Sequence, residues 1–125
     1  MRYLLVLGSN HRRAAALRLA ARRLAEAFTV IAHAGPLPTR DASGPARYLN
    51  AAAIIASDAQ PGQVRGILRA IEHEAGRDRG DPRCVLDIDL VARLEGRRVA
   101  EAFKPADLSA PYALPLLDAL EIVRD

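Results

Sequence analysis

The stretch Gly76–Val91, GRDRGDPRCVLDIDLV, sets arginines at positions 77, 79 and 83 in a loop-like run, then Asp87, Ile88 and Asp89 in an apolar segment. On a strand, successive side chains alternate faces, so Asp87 and Asp89 project to one side and Ile88 to the other. Their Cα atoms then stand roughly 6.5–7 Å apart, within reach of one or two shared hard cations. Carboxylates this close repel unless a proton or a cation lies between them. Magnesium suits such a pair, because it takes one or two protein carboxylates and completes its shell with water and phosphate oxygens. Arginines that neutralise phosphate, beside carboxylates that hold Mg²⁺, are the parts that phosphoryl or pyrophosphoryl transfer needs. The plainer reading is two exposed strand residues after a solvated loop, since a D-x-D alone is a weak signal.

Working outward from this stretch, apolar periodicity divides the chain. Upstream, Pro61 can open a helix, Val64, Ile67, Leu68 and Ile71 form its core stripe, and Gly76 ends it. Before it, Arg47–Ser57 reads as the third strand, and Gly35–Pro45, with three prolines and two glycines, as an irregular loop. Thr29–Ala34 reads as the second strand. Leu17, Ala20, Ala21, Leu24 and Phe28 mark a helix whose arginines fall mostly on the solvated face. Arg2–Leu7 is a short buried strand closed by the Gly8-Ser9-Asn10 turn. Downstream, Val85–Leu94 is the fourth strand, and Gly96 turns into a hairpin partner at Arg97–Ala100. Pro105–Pro111 reads as loop, and Tyr112–Val123 contains a short closing helix. The order β-α-β-β-α-β predicts an α+β, ferredoxin-like sandwich, with helices on one face of an antiparallel sheet.

The bulk numbers bound the class. A chain of 125 residues, half apolar and a quarter charged, is expected to form one globular domain, residues 1–125. The net charge of +3 comes mostly from arginine, Lys104 being the single lysine, and fits a polyanionic small ligand, but equally a nucleic acid or no charged partner at all. Cys84 is the single cysteine, so no intrachain disulfide can form. Met1–Leu7 is too short an apolar run for a signal peptide, and no 18-residue apolar stretch exists, so a cytoplasmic monomer away from the membrane is expected. Neither G-x-x-x-x-G-K-[ST] nor G-x-G-x-x-G occurs, and His11, His33 and His73 lack zinc spacing. The five aromatics form no base-stacking motif, which argues against nucleic acid as a partner.

Four pieces together resemble the 6-hydroxymethyl-7,8-dihydropterin pyrophosphokinase family. These are Leu7-Gly8-Ser9-Asn10, Tyr48-Leu49-Asn50-Ala51-Ala52, Glu72 with Gly76-Arg77-Asp78-Arg79, and Arg83 leading to Leu86-Asp87-Ile88-Asp89-Leu90. The resemblance spans about the first 90 residues, in order and spacing. It implies Mg²⁺-dependent transfer of pyrophosphate from the co-substrate ATP to the pterin hydroxymethyl group, giving AMP, in folate biosynthesis. It implies that Asp87 and Asp89 hold two Mg²⁺ ions, and that Asn50 hydrogen-bonds the pterin in a pocket walled by Tyr48. Leu37-Pro38-Thr39 falls where the family's pterin-contacting loop lies. Glu72, Arg77 and Arg79 correspond to the residues that meet ATP, and Arg83 to the arginine just upstream of the carboxylates. The Gly8-Ser9-Asn10 turn is expected to hold the first strand's end near the pterin.

The departures are equally specific. Three residues separate Arg83 from Asp87 where the family usually has two, the loop from Arg79 to Arg83 is short, and the chain has no tryptophan. The family's later Pro-His segment, followed by arginine and phenylalanine, is not recognisable. Lys104 is the candidate for the missing phosphate charge and Tyr112 for the ring-stacking aromatic. The same chemistry on another pterin alcohol, or a silent pterin- or nucleotide-binding domain, stays open at this point.

Overall fold

The computed structural model describes residues 1–40, 46–78 and 80–124. Strand β1 (Arg2–Ser9) leads into helix α1 (Arg13–Ala27), strands β2 (Thr29–Arg40) and β3 (Ala46–Ala56), and helix α2 (Pro61–Glu74). Strands β4 (Asp87–Glu95) and β5 (Arg98–Ala102) follow, then a 3₁₀ turn at Pro105–Leu108 and helix α3 (Leu114–Ala119). The sheet runs β2-β3-β1-β4-β5, and every neighbouring pair is antiparallel. Each of the two β-α-β crossovers skips one strand, so β1 lies between β3 and β4. This is the α+β, ferredoxin-like arrangement that the order of elements predicts.

The centre of the sheet is apolar on both faces, and that decides the layering. Tyr3, Leu5 and Leu7 of β1 pack with Ala16, Leu17, Ala20 and Leu24 of α1 and with Val64, Leu68 and Ile71 of α2. Leu4 and Val6 point the other way, against Ala113, Leu116 and Leu117 at α3. The expectation of helices on one face therefore needs correction: α3 covers the second face. Side chains alternate along β1, and with no polar residue from Leu4 to Leu7, either face left open would expose Leu or Val to water at ~25 cal/mol per Å². In α1, Ala21 is exposed rather than part of the packed stripe.

Two boundaries also differ from expectation. Gly35–Pro45 is not a loop throughout, because β2 continues to Arg40, with Leu37, Pro38 and Thr39 opposite Asn50, Leu49 and Tyr48. The register shift between Ala34 and Leu37 absorbs the disruption, and β2 is an edge strand, where prolines lacking an N–H are tolerated. Gly35 sits there at φ +85, and a Cβ would lie 2.8 Å from the Asn50 carbonyl oxygen, which only glycine avoids. The rest of that expected loop, residues 41–45, lies outside the described residues. Strand β4 begins at Asp87 rather than Val85. The residues just before it are tied by side chains instead: Cys84 N–H donates to Asn10 Oδ1 at 2.6 Å, and Arg77 Nη1 donates to the Leu86 carbonyl at 2.8 Å.

Candidate active site

Strand register builds the site. Gly8, near the end of β1, is flanked by Asn50 of β3 on one side and Asp87 of β4 on the other. Neighbouring strands are about 4.8 Å apart, so Asn50 and Asp87 face each other across roughly 10 Å with only a glycine between them. A Cβ at position 8 would lie 2.8 Å from Asn50 Nδ2, so the floor of the site has to be glycine. A cavity of about 420 Å³ opens above it, lined by Thr39, Tyr48, Asn50, Arg77, Asp87, Asp89 and Tyr112 among others. Its size suits a small heterocyclic ligand.

Asn50 is 6% exposed and held from two directions. Its Oδ1 accepts from Thr39 Oγ1 at 2.6 Å, and its Nδ2 donates to the Leu7 carbonyl at 3.2 Å. An amide fixed in this way keeps one further N–H and one lone pair to offer the cavity. Tyr48 borders it, its hydroxyl pKa raised by burial first of all. Tyr112 closes the opposite wall from the segment before α3, and its hydroxyl donates to Asp107 Oδ1 at 2.7 Å. Burial, then that bond, raises its pKa well above the usual phenol range.

Asp87 and Asp89 project to one side and Ile88 to the other, into the core beneath α2, as alternation requires. Burial, and next the charge of Asp89, push the Asp87 carboxyl up to about 6. Each carboxylate has a cation beside it. Arg77 Nη1 lies 3.4 Å from Asp87 Oδ1, and Lys104 Nζ 2.5 Å from Asp89 Oδ1. The hydrogen bond to Asp89 is the main reason the Lys104 ammonium titrates above its usual range. Glu72, 5% exposed, accepts the Ile88 backbone N–H on Oε2 at 2.8 Å, so it grips the peptide between the two aspartates.

The same two aspartates border a second, smaller cavity of about 200 Å³, with Arg65, Arg69, Glu72 and Lys104 around it. The carboxylate pair thus stands between an aromatic, amide-lined cavity and an arginine-rich one. Two carboxylates on one face suit Mg²⁺, which asks for few protein oxygens. Among the described residues no cluster of three or more His, Cys, Asp or Glu could hold a metal, so any ion here would draw its remaining ligands from water and phosphate. Cys84 also lines the larger cavity, but burial pushes its thiol pKa up, away from the thiolate a metal or nucleophile requires. A larger apolar cavity of about 540 Å³ lies between α1 and strands β2 and β3. It has Arg18 and His33 on its lining but no carboxylate.

The structure therefore brings Thr39, Tyr48, Asn50, Arg77, Asp87, Asp89 and Tyr112 to one cavity, and Glu72 and Lys104 to the adjoining one. Leu37 and Pro38 line neither cavity; Leu37 is exposed in the register position opposite Asn50. Arg83 also stays outside, because Asp81, two residues earlier, captures its guanidinium at 2.7 Å and 3.1 Å. Arg79 lies outside the described residues. Arg65 and Arg69 were not expected at the site. Their signal was present in sequence: positions 65, 69 and 72 share one face of α2, so two arginines stand in line with Glu72.

The family model described as 7,8-dihydro-6-hydroxymethylpterin-pyrophosphokinase matches residues 4–118 of the chain. No curated protein matches it.

Proposed function

The chain belongs to the 7,8-dihydro-6-hydroxymethylpterin-pyrophosphokinase family, and from that premise we propose that it transfers pyrophosphate from ATP to the hydroxymethyl group of 6-hydroxymethyl-7,8-dihydropterin. The hydroxymethyl oxygen bonds to the β-phosphorus, the bond from that phosphorus to the α-phosphate oxygen breaks, and AMP and the hydroxyl proton leave. We take residues 1–125 to act as one domain and a monomer in the cytoplasm.

The observation that carries this reading is the pair Asp87 and Asp89, shared by the two cavities. Asn50, aimed by Thr39 and Leu7, would read the heterocycle edge, and Tyr48 and Tyr112 would cover its faces. Arg65, Arg69 and Lys104 would receive the phosphates on the other side of the carboxylates. Asp87 and Asp89 would hold Mg²⁺ between the two substrates, and the bound ions supply charge neutralisation on the phosphate oxygens and alignment of the attacking and leaving groups. Glu72 and Arg77 fix that pair from behind, through the Ile88 N–H and the Leu86 carbonyl, so the carboxylates need not reorganise during transfer.

The test is AMP release from ATP, Mg²⁺ and the pterin, with an EDTA control. Pterin-dependent AMP that vanishes with EDTA is the expected result. No AMP, with the pterin still bound by calorimetry, would redirect the reading to another pterin alcohol or to a silent binding domain.

A further inference from the structure

We propose that Lys104 is a built-in counter-cation that occupies Asp89 before the divalent cation arrives and moves onto the substrate phosphates when it binds. The inference rests on the reading of Asp87 and Asp89 as the cation site.

The two side-chain cations at the carboxylate pair are held differently. Arg77 is 19% exposed, and its Nη1 is fixed by the Leu86 carbonyl at 2.8 Å and Cys84 Sγ at 3.3 Å, with Asp87 only at 3.4 Å. Removing Asp87 from that set leaves Arg77 where it is. Lys104 is 52% exposed, and Asp89 is its single side-chain partner among the described residues. Its backbone is clamped, since the N–H groups of Phe103 and Lys104 both donate to the Val91 carbonyl at 2.8 and 3.1 Å. The result is a flexible four-carbon arm on a fixed root, held at its tip by one carboxylate.

A divalent cation held by both carboxylates would share Asp89 with the Lys104 ammonium, so the two positive charges would compete for it. The arm then has one direction to go. Arg65, whose guanidinium sits 5.1 Å over the Phe103 ring, and Arg69 border the same small cavity as Lys104. Glu72, Asp87 and Asp89 balance these three cations as the cavity stands. A divalent cation that neutralises the two aspartates would leave it net positive, and a polyphosphate would then offset the released Lys104 together with Arg65 and Arg69. Cation and nucleotide should therefore favour each other's binding, by the reciprocity that any coupling obeys.

The test uses the full chain and Lys104→Met, a change at an exposed arm that leaves the backbone clamp intact. Mn²⁺ affinity without nucleotide is measured by the free-ion electron paramagnetic resonance signal. Competition by a half-exposed, charge-assisted pair predicts Mn²⁺ binding about three- to tenfold tighter in Lys104→Met than in wild type. Affinity for a non-hydrolysable ATP analogue with Mn²⁺ should move the opposite way, and Lys104→Arg should keep the weaker Mn²⁺ affinity. Equal or weaker Mn²⁺ binding in Lys104→Met, with Asp89→Asn abolishing it, overturns the role of Lys104 and leaves the cation site standing. Mn²⁺ binding that is indifferent to Asp89→Asn overturns the cation site itself, and the inference with it.

Discussion

Gly8→Ala is the substitution whose consequence follows most directly from the geometry. Gly8 does not adopt a positive φ, so the change brings no backbone strain. The cost is steric. The new Cβ would lie 2.8 Å from Asn50 Nδ2, and the next nearest atom, Tyr48 Cδ2, is at 3.6 Å, an ordinary contact. Amide groups on flexible side chains usually step aside cheaply, but Asn50 is buried and bonded to Leu7 and Thr39. Moving it breaks those bonds without water to replace them, at about 1–3 kcal/mol. For a chain of this length each kcal/mol lowers Tm by about 4 °C, so a drop of roughly 4–12 °C is expected. The displaced amide no longer faces the cavity, and pterin affinity should fall about tenfold or more, the equivalent of 1.4 kcal/mol or above.

A double-mutant cycle with Asn50→Ala isolates the cause. With the amide gone, the added methyl meets only Tyr48 at a normal distance, so Gly8→Ala should cost under about 0.5 kcal/mol in that background. The two penalties should fall short of additive by about 1–2 kcal/mol in urea denaturation. Strict additivity would refute the reasoning, because the cost would then arise from the strand backbone rather than from the approach of Asn50.

Other expectations are direct. Asp87→Asn and Asp89→Asn should each lower turnover by at least about 10²–10³ with unchanged far-ultraviolet circular dichroism; near wild-type rates in either would sink the carboxylate assignment. Glu72→Ala should cost about 1–3 kcal/mol by stranding the buried Ile88 N–H, whereas Glu72→Gln keeps an acceptor there and should recover most of it; equal losses in denaturation would mean the bond matters little. Asp87 binds its proton more tightly when folded, up to about 6 against an ordinary 3.8. Its contribution to stability therefore falls as pH rises through that window and is level above it. Wild type should lose stability relative to Asp87→Asn between those pH values in parallel urea titrations without divalent cation, and a constant difference would show that the pair carries no strain. Tyr112→Phe removes the hydrogen bond to Asp107 and should cost about 0.5–1.5 kcal/mol while leaving the ring to cover the pterin, so a large loss of pterin affinity would assign the hydroxyl a direct role.

What the sequence revealed, and what it hid, divides along physical lines. Strand alternation alone placed Asp87 and Asp89 on one side with Ile88 in the core, because a period of two does not depend on tertiary context. Helical spacing found the buried face of α2 for the same reason. The continuation of β2 was hidden by its prolines, which mark a loop in isolation and become acceptable only at a sheet edge, a property of the assembled topology. The second packed layer was legible but unread: a β1 with no polar residue between Tyr3 and Leu7 has two apolar faces and needs cover on both.

Arg83 shows how a local charge can engage an arginine that a motif assigns to phosphate. Its nearness in sequence to the carboxylate pair suggested a phosphate contact, but Asp81 is closer still and reaches its guanidinium with both oxygens. Arg65 and Arg69, some twenty residues upstream, line the small cavity that the carboxylates border, because α2 presents one helical face to it. On the proposed function, this face of α2 would supply the positive charge expected from the arginine before the aspartates. If that substitution is functional, Arg69→Ala should weaken ATP binding by about fivefold or more, the loss of one charge-assisted contact, while Arg83→Ala leaves it within twofold. Calorimetry with a non-hydrolysable ATP analogue separates them. The reverse ranking would return the phosphate role to the loop before β4 and leave the arginine face of α2 as solvated surface.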